Sequence, residues 1–276
     1  MLMNIRISGK SLFRLNNILV LVCLMSAYSI VAQEAKTAET AASLYNDGLA
    51  LLKEKNYEEG LVFMEKALAK ATEDNNEQII GLSKKNGAIA SYNLGKAKLK
   101  ANALDEASEI FSKGAEMDET YSSNFLGLAR VLDNKKMYQD AMDAYFLTAQ
   151  KAEVAGKQKK VNDAQNRARA IVTKLYKAKS HQDVVDRGTQ FLSKVQNASV
   201  SYYVGKSLME LKNYQEAVTH LDDAISNSET GKDKMIYAKA MSLEKLGNNS
   251  EAVAAYKQIT DEKYKKQADY KISTLK

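Results

Sequence analysis

The chain has 276 residues, no proline, only 13 glycines and a hydrophobic content of 45%. Neither Pro nor Gly suits a helix interior, so this composition favours an all-helical protein, and its apolar share excludes global disorder. The formal charge is +6, but Arg6, Lys10 and Arg14 stand ahead of the first acid, Glu34; without residues 1–33, 37 basic and 34 acidic side chains leave +3, too even a balance to point to nucleic acid or an anionic membrane.

The N-terminal 17 residues carry those three basic side chains, and residues 18–31 (ILVLVCLMSAYSIV) are almost wholly apolar. A basic region, a short apolar run and a small residue before a polar start describe a secretory signal peptide. The run falls short of the roughly 20 residues a spanning helix needs. Cleavage is expected near Ala32, making residues 1–33 the signal peptide, although Ile30 is bulky for its place; an uncleaved anchor is the alternative. The single cysteine, Cys23, follows Val22, where a lipoprotein signal needs a small residue. Lipidation is therefore not expected, and the mature chain would rely on no disulfide. The run ending in VAQ resembles export signals of the Bacteroidetes, which implies a periplasmic, outer-envelope or secreted location with only indirect membrane association.

From residue 41 onward one beat recurs: a small residue, Ala twelve positions later, a large apolar or aromatic residue four after that, and a small residue three further on. It reads Gly95, Ala107, Phe111, Gly114 in one copy and Gly205, Ala217, Leu221, Ala224 in another. Six copies follow in order. The first spans 41–74 (Gly48, Gly60, Met64, Ala67) and the second 88–121. The third, 122–155, has Ala129, Ala141, Tyr145 and Thr148. The fourth, 165–198, is degenerate, with Val172, Val184, Gly188 and Phe191. The fifth is 198–231, and the sixth, 233–266, carries Ala240, Ala252, Tyr256 and Ile259. A fixed period of this size marks stacked supersecondary units that cannot bury their apolar faces alone.

Each copy reads as two helices. Turns are predicted at Lys55-Asn56, Ala101-Asn102, Asn134-Lys135, Lys212-Asn213 and Gly247-Asn248, because Asn and Gly accept left-handed backbone angles. Tyr57, Tyr138 and Tyr214 stand where second helices should begin. The small residues let backbones approach, and the aromatic or Leu fills the space beside them.

A 34-residue helix–turn–helix with YNLGKA at 92–97, LDEA at 104–107 and YQEA at 214–217 resembles the tetratricopeptide repeat. The resemblance is strongest in the second, fifth and sixth copies and weakest in the fourth. It departs in one respect: the family often ends its second helix with Pro, and Glu119 occupies that place here. The resemblance implies an all-α, right-handed superhelical solenoid of about six repeats, with copies one to three at 41–155, copies four to six at 165–266, and a capping helix at 267–276. Residues 75–87 read as a backward extension of the next helix. The 156–164 spacer reads either as a bend or as a similar extension.

No constellation supports catalysis. His181 and His220 lack metal-ligand spacing; His181 stands where other copies have Tyr57 or Tyr214 and reads as packing, and His220 reads as a helix-surface residue. The GKS at 205–207 has Val200 where a phosphate loop needs Gly, and the GKS at 9–11 has Asn4 there. No catalytic residue, cofactor or metal is expected.

The resemblance implies that the first helix of each copy lines a concave face. Three residues before each small anchor stand Tyr45, Tyr92, Leu126, Arg169, Tyr202 and Tyr237; one after stand Leu49, Lys96, Arg130, Thr173, Lys206 and Met241. The sets are four apart and share a helix face, with Lys100 and Tyr176 about a turn on. This Tyr, Lys and Arg stripe is the predicted groove for a peptide or partner protein, with acidic groups as the natural complement. A homo-oligomeric structural subunit and a glycan or peptidoglycan carrier are the alternatives. A clamp for a terminal carboxylate is disfavoured, since Asn93 fits but Ser123 and Gly127 stand where basic residues are needed.

Overall fold

The computed structural model describes residues 39–275. The export-type segment with Cys23, Ala32 and the GKS at 9–11 lies outside the described residues, as does Lys276. Among the described residues every regular element is an α-helix: α1 (Ala41–Lys53), α2 (Tyr57–Glu73), α3 (Glu77–Lys100), α4 (Leu104–Met117), α5 (Ser122–Asn134), α6 (Tyr138–Val154), α7 (Gln158–Lys177), α8 (His181–Leu192), α9 (Ala198–Glu210), α10 (Tyr214–Ser226), α11 (Asp233–Lys245), α12 (Asn249–Tyr256) and α13 (Glu262–Thr274). Two helices fall to each of the six copies, with α3 and α7 beginning ahead of residues 88 and 165. Tyr57, Tyr138 and Tyr214 open second helices, and His181 opens that of the fourth copy. The terminal helix starts at Glu262, earlier than the 267 expected from the beat.

The turn inside every copy has one geometry. Lys55, Asn102, Lys136, Lys179, Lys212 and Gly247 all adopt positive φ, between 59° and 80°. Around Lys179 the chain closes with its N–H on Tyr176 O at 3.0 Å and the Ser180 N–H on Leu175 O at 3.1 Å. Those paired bonds satisfy carbonyls that a helix end leaves orphaned. The same two spacings recur at the other five turns. Four of the five predicted turn pairs hold the left-handed residue, which at Lys55-Asn56 and Lys212-Asn213 is the Lys, with the Asn in the N-cap position of the next helix and making no side-chain capping bond; at Asn134-Lys135 it is Lys136, one residue further on.

Two compact units divide the chain between Ser83 and Lys84. In the first, α1 and α2 meet through glycines. A Cβ on Gly48 would lie 2.9 Å from Phe63 Cβ, and one on Gly60 would run into Leu52, so the helices pack nearly backbone to backbone. Met64 is fully buried there. Ala41, Ala71 and Ile79 complete this core.

In the second unit, successive helices from α4 to α13 pack each on the next, and several also reach the next but one, such as α7 to α9 and α11 to α13. This is an all-α repeat solenoid. Its largest core runs from Leu126 and Tyr145 through Ile171, Val184 and Phe191 to Leu221 and Ala238. Burial of such apolar surface is the main stabilising term, at about 25 cal/mol per Å². The anchors Ala107, Ala129, Ala141, Ala217, Ala240 and Ala252 are all fully buried. Residues 158–164, assigned above to the spacer, are the opening turns of α7.

Candidate functional site: a basic trough along α7

The sequence of α7 divides cleanly by face. Val161, Ala164, Ala168, Ile171, Val172 and Leu175 are buried, at spacings of three and four. The opposite face carries Lys159, Asn162, Asn166, Arg169, Thr173 and Lys177, of which all but the half-buried Thr173 are exposed. A 3.6-residue period puts one apolar stripe inward and leaves this polar row outward.

Three clefts follow that row. The first, about 980 Å³, is bounded by Leu126, residues 156–160, Asn162, Asp163 and Asn166. The second, about 510 Å³, takes in Asn166, Arg169, Thr173, Lys174, Lys177 and Tyr203. The third, about 390 Å³, is lined by Tyr176, Lys177, Lys179, His181, Lys206 and Glu210. Asn166 is shared by the first two and Lys177 by the last two, so they form one trough. Its wall is braced by Tyr176 and Tyr203, stacked with centroids 4.4 Å apart and planes at 22°.

The charge in this trough is one-sided. Lys157, Lys159, Lys160, Arg169, Lys174, Lys177, Lys179 and Lys206 line it, against Asp163 and Glu210. Asp163 is engaged by Arg167 Nε at 3.2 Å. Lys174 is paired with Asp133 at 2.7 Å and lies over the Tyr138 ring. Lys160 is the unusual cation. Its Nζ donates to Ser123 Oγ at 2.6 Å and lies 5.6 Å from the Tyr121 centroid, with Lys157 over the same ring at 6.0 Å. A half-buried ammonium with a hydroxyl and a π face around it is poorly compensated. Burial, and then Lys157, hold it below the usual lysine range.

The predicted stripe separates on this structure. Arg169, Thr173, Lys206, Leu126 and Tyr176 line the trough. Tyr202 lies beside it, 6.1 Å from Tyr203 and under Lys234; burial and its tyrosine neighbours push its phenol up to about 12. Tyr92 packs against Phe111 and Tyr121, and Tyr237 against Tyr256 and Tyr264. Lys96 and Lys100 are exposed on α3, and Arg130 is half-buried on α5. Tyr45 belongs to the first compact unit, against Ala41, Ala71 and Ile79. The trough adds Lys157, Lys159, Lys160, Asn162, Asn166 and Lys177. Their signal was in the sequence as KQKK at 157–160 followed by polar residues every three or four positions, but it precedes and interleaves the repeat register.

His181 packs as expected, with Nδ1 3.5 Å from Ser207 Oγ. His220 does not lie on the surface: it is half-buried, its Nδ1 is shielded without a hydrogen-bond partner, and burial lowers its pKa despite Asp223 and Glu216. Among the described residues no group of three or more His, Cys, Asp or Glu is placed to hold a metal, and no helix is long and apolar enough to cross a membrane.

The match to a known family falls on the last helix pair. Residues 233–265 match the tetratricopeptide repeat. That window holds α11 and α12, and the five preceding copies repeat its helix, left-handed turn and helix. No curated protein matches the chain. Solved structures similar to it include YrrB, described as a TPR protein with an unusual peptide-binding site, at 18% identity over 69% of this chain and 89% of that one, TM-score 0.36. The TPR domain of P58(IPK) is 12% identical over 85% of this chain, which spans 64% of that one, TM-score 0.40. The TPR2AB domain of yeast Sti1, in complex with pHSP90, is 12% identical over 85% of this chain and 98% of that one, TM-score 0.36.

Proposed function

We propose that the chain is a non-enzymatic interaction scaffold that holds a peptide or a segment of a partner protein along the α7–α9 trough. The observation that carries this reading is the continuity of the three clefts along one polar helix face. Arg and Tyr supply the kind of broad, rigid contact that dominates protein interfaces. The tetratricopeptide match and the peptide-binding description of YrrB agree with it. We further propose export to the cell envelope, which rests on the pattern of residues 1–33.

A photo-crosslinking residue in place of Thr173 tests the reading in cells. An adduct of defined mass is expected, lost on the double change Arg169→Glu and Lys206→Glu. An adduct indifferent to both changes would place the partner elsewhere.

A second reading, self-association, rests on a different surface. Val154, 88% exposed, and Leu147 line a cleft of about 530 Å³ on α6. Sedimentation of wild type and Val154→Asp tests it; a dimer that this change dissolves is the supporting result, and a monomer at all concentrations removes it.

A further inference from the structure

We infer that the trough is built for an extended acidic segment of a protein, with carboxylates at two cationic poles and polar backbone contacts between them. The inference rests on the groove reading above and specifies its ligand.

The first pole is Lys159 and Lys160, with Lys157 beside them in the largest of the three clefts. Among the described residues Lys160 makes no ion pair; a hydroxyl and a ring are what meet its charge. A carboxylate is the group that would compensate such a cation best, since hydrogen bonds with both partners charged are the stronger kind. The second pole is Lys177 and Lys206, with Lys179, in the third cleft. Glu210 is the one acid there, against three lysines. Between the poles lie Asn162, Asn166 and Thr173, whose side chains can both donate and accept. That is the chemistry needed by a peptide backbone, which presents N–H and C=O along its length. Arg169 stands midway.

The spacing fixes the length of the ligand. Lys159 and Lys177 lie on one helix, and at about 1.5 Å per residue they are roughly 27 Å apart. An extended chain advances about 3.3 Å per residue. The segment that reaches both poles is therefore about eight residues long, with its acids at the ends. Uniform positive charge would attract any polyanion. Three lysines stand at each pole, whereas between them Lys174 is already paired with Asp133 and Arg169 is a single cation among amides and a hydroxyl, so the higher charge at the two ends favours this one arrangement.

Anisotropy with two fluorescein-labelled, C-terminally amidated peptides tests this on the purified chain. The first is Glu-Glu-Ala-Ser-Ala-Ser-Glu-Glu, and the second is its permutation Ala-Ser-Glu-Glu-Glu-Glu-Ala-Ser. The first should bind about tenfold tighter than the second, the worth of one or two charge-assisted hydrogen bonds. Lys160→Met, Lys159→Ala and Lys177→Ala should each weaken it by a comparable factor, while Lys245→Ala, outside the trough, leaves it unchanged. Lys159 is exposed, so its loss reports binding even if Lys160→Met disturbs folding. Equal affinity for the two peptides, or a mixed-sequence RNA binding as tightly as the first, overturns the inference. If neither peptide binds while the Thr173 adduct persists, the acidic ligand is wrong and the groove reading stands. If the adduct is absent too, both fall.

Discussion

The second and fourth copies solve one packing problem with opposite residues. In the second, the order of sizes is Gly95, Phe111, Gly114. The Phe111 ring is fully buried between α3 and α5: a Cβ on Gly95 would lie 2.8 Å from it, and one on Gly127 would run into it. In the fourth, the order is Val172, Gly188, Phe191. Here the helix crossing is filled from outside the gap: a Cβ on Gly188 would run into Val204, with Val200 and Val172 at 3.6 and 3.7 Å. Phe191 then reaches back to Phe146 of α6, with centroids 5.8 Å apart. The copy that looks degenerate as a string is complementary as a set of volumes. Close packing selects for filled space rather than for a residue at a position.

The largest expected effect tests the first arrangement. Phe111→Ala should cost about 3–5 kcal/mol, because the ring has glycines on both sides that cannot fill the cavity. Urea unfolding followed by far-ultraviolet circular dichroism measures it; a loss below about 1 kcal/mol would mean the helices collapse together and the ring is no spacer. The mirror experiment tests the second arrangement. Gly188→Val should cost about 1–3 kcal/mol by overpacking. Val204→Ala in the same chain should recover part of it, with a coupling of about 0.5–3 kcal/mol. Strict additivity would show that the two residues do not share one space, and the inversion would lose its meaning.

This comparison also shows what the sequence could reveal. The beat located the helix pairs because Ala at a crossing and Tyr at a helix start repeat at one spacing: Tyr57, Tyr138 and Tyr214 open their helices as read. It under-rated the fourth copy because a register of residue types cannot see exchanged volumes. The same blindness hid the trough. Lys159, Lys160 and Asn162 precede the fourth copy and so read as spacer, whereas Lys159 and Asn162 share one face of α7 with Asn166 and Arg169 inside that copy, and Lys160 lies beside that face in the first cleft. The tyrosines of the predicted stripe were visible, but whether Tyr92 faces solvent or lies against Phe111 depends on how the two helices of its own copy close on each other.

Burial of a polar group separates the fifth copy from both. His220 sits on α10 with its pKa lowered by burial, which Asp223 and Glu216 only partly oppose. An imidazole whose folded pKa lies below its unfolded value of about 6.5 binds its proton more readily when the chain is unfolded. Stability therefore rises with pH while that difference persists and is lost as pH falls through about 6.5. His220→Gln should flatten this part of the stability–pH curve, measured by urea midpoints from pH 7.5 down to 5. A variant curve parallel to wild type would assign the acid sensitivity to other groups.

The smallest effect concerns the feature that all copies share. Five of the six internal turns place Lys or Asn, not Gly, in the left-handed region, and Lys179 has φ 59°. A side chain there costs roughly 1–2 kcal/mol, while Gly loses about 0.5–1 kcal/mol more backbone entropy on folding. The balance predicts that Lys179→Gly stabilises by about 0.5–1 kcal/mol. Lys179 also lines the third cleft, so its retention of Lys is understandable if the trough needs the charge. The two roles are separable by experiment. In Lys136→Gly, at the equivalent turn outside the trough, the same stability gain should come with unchanged binding of the acidic peptide; Lys179→Gly should gain stability and lose affinity together. Equal affinity in the two variants would leave Lys179 as a turn residue alone.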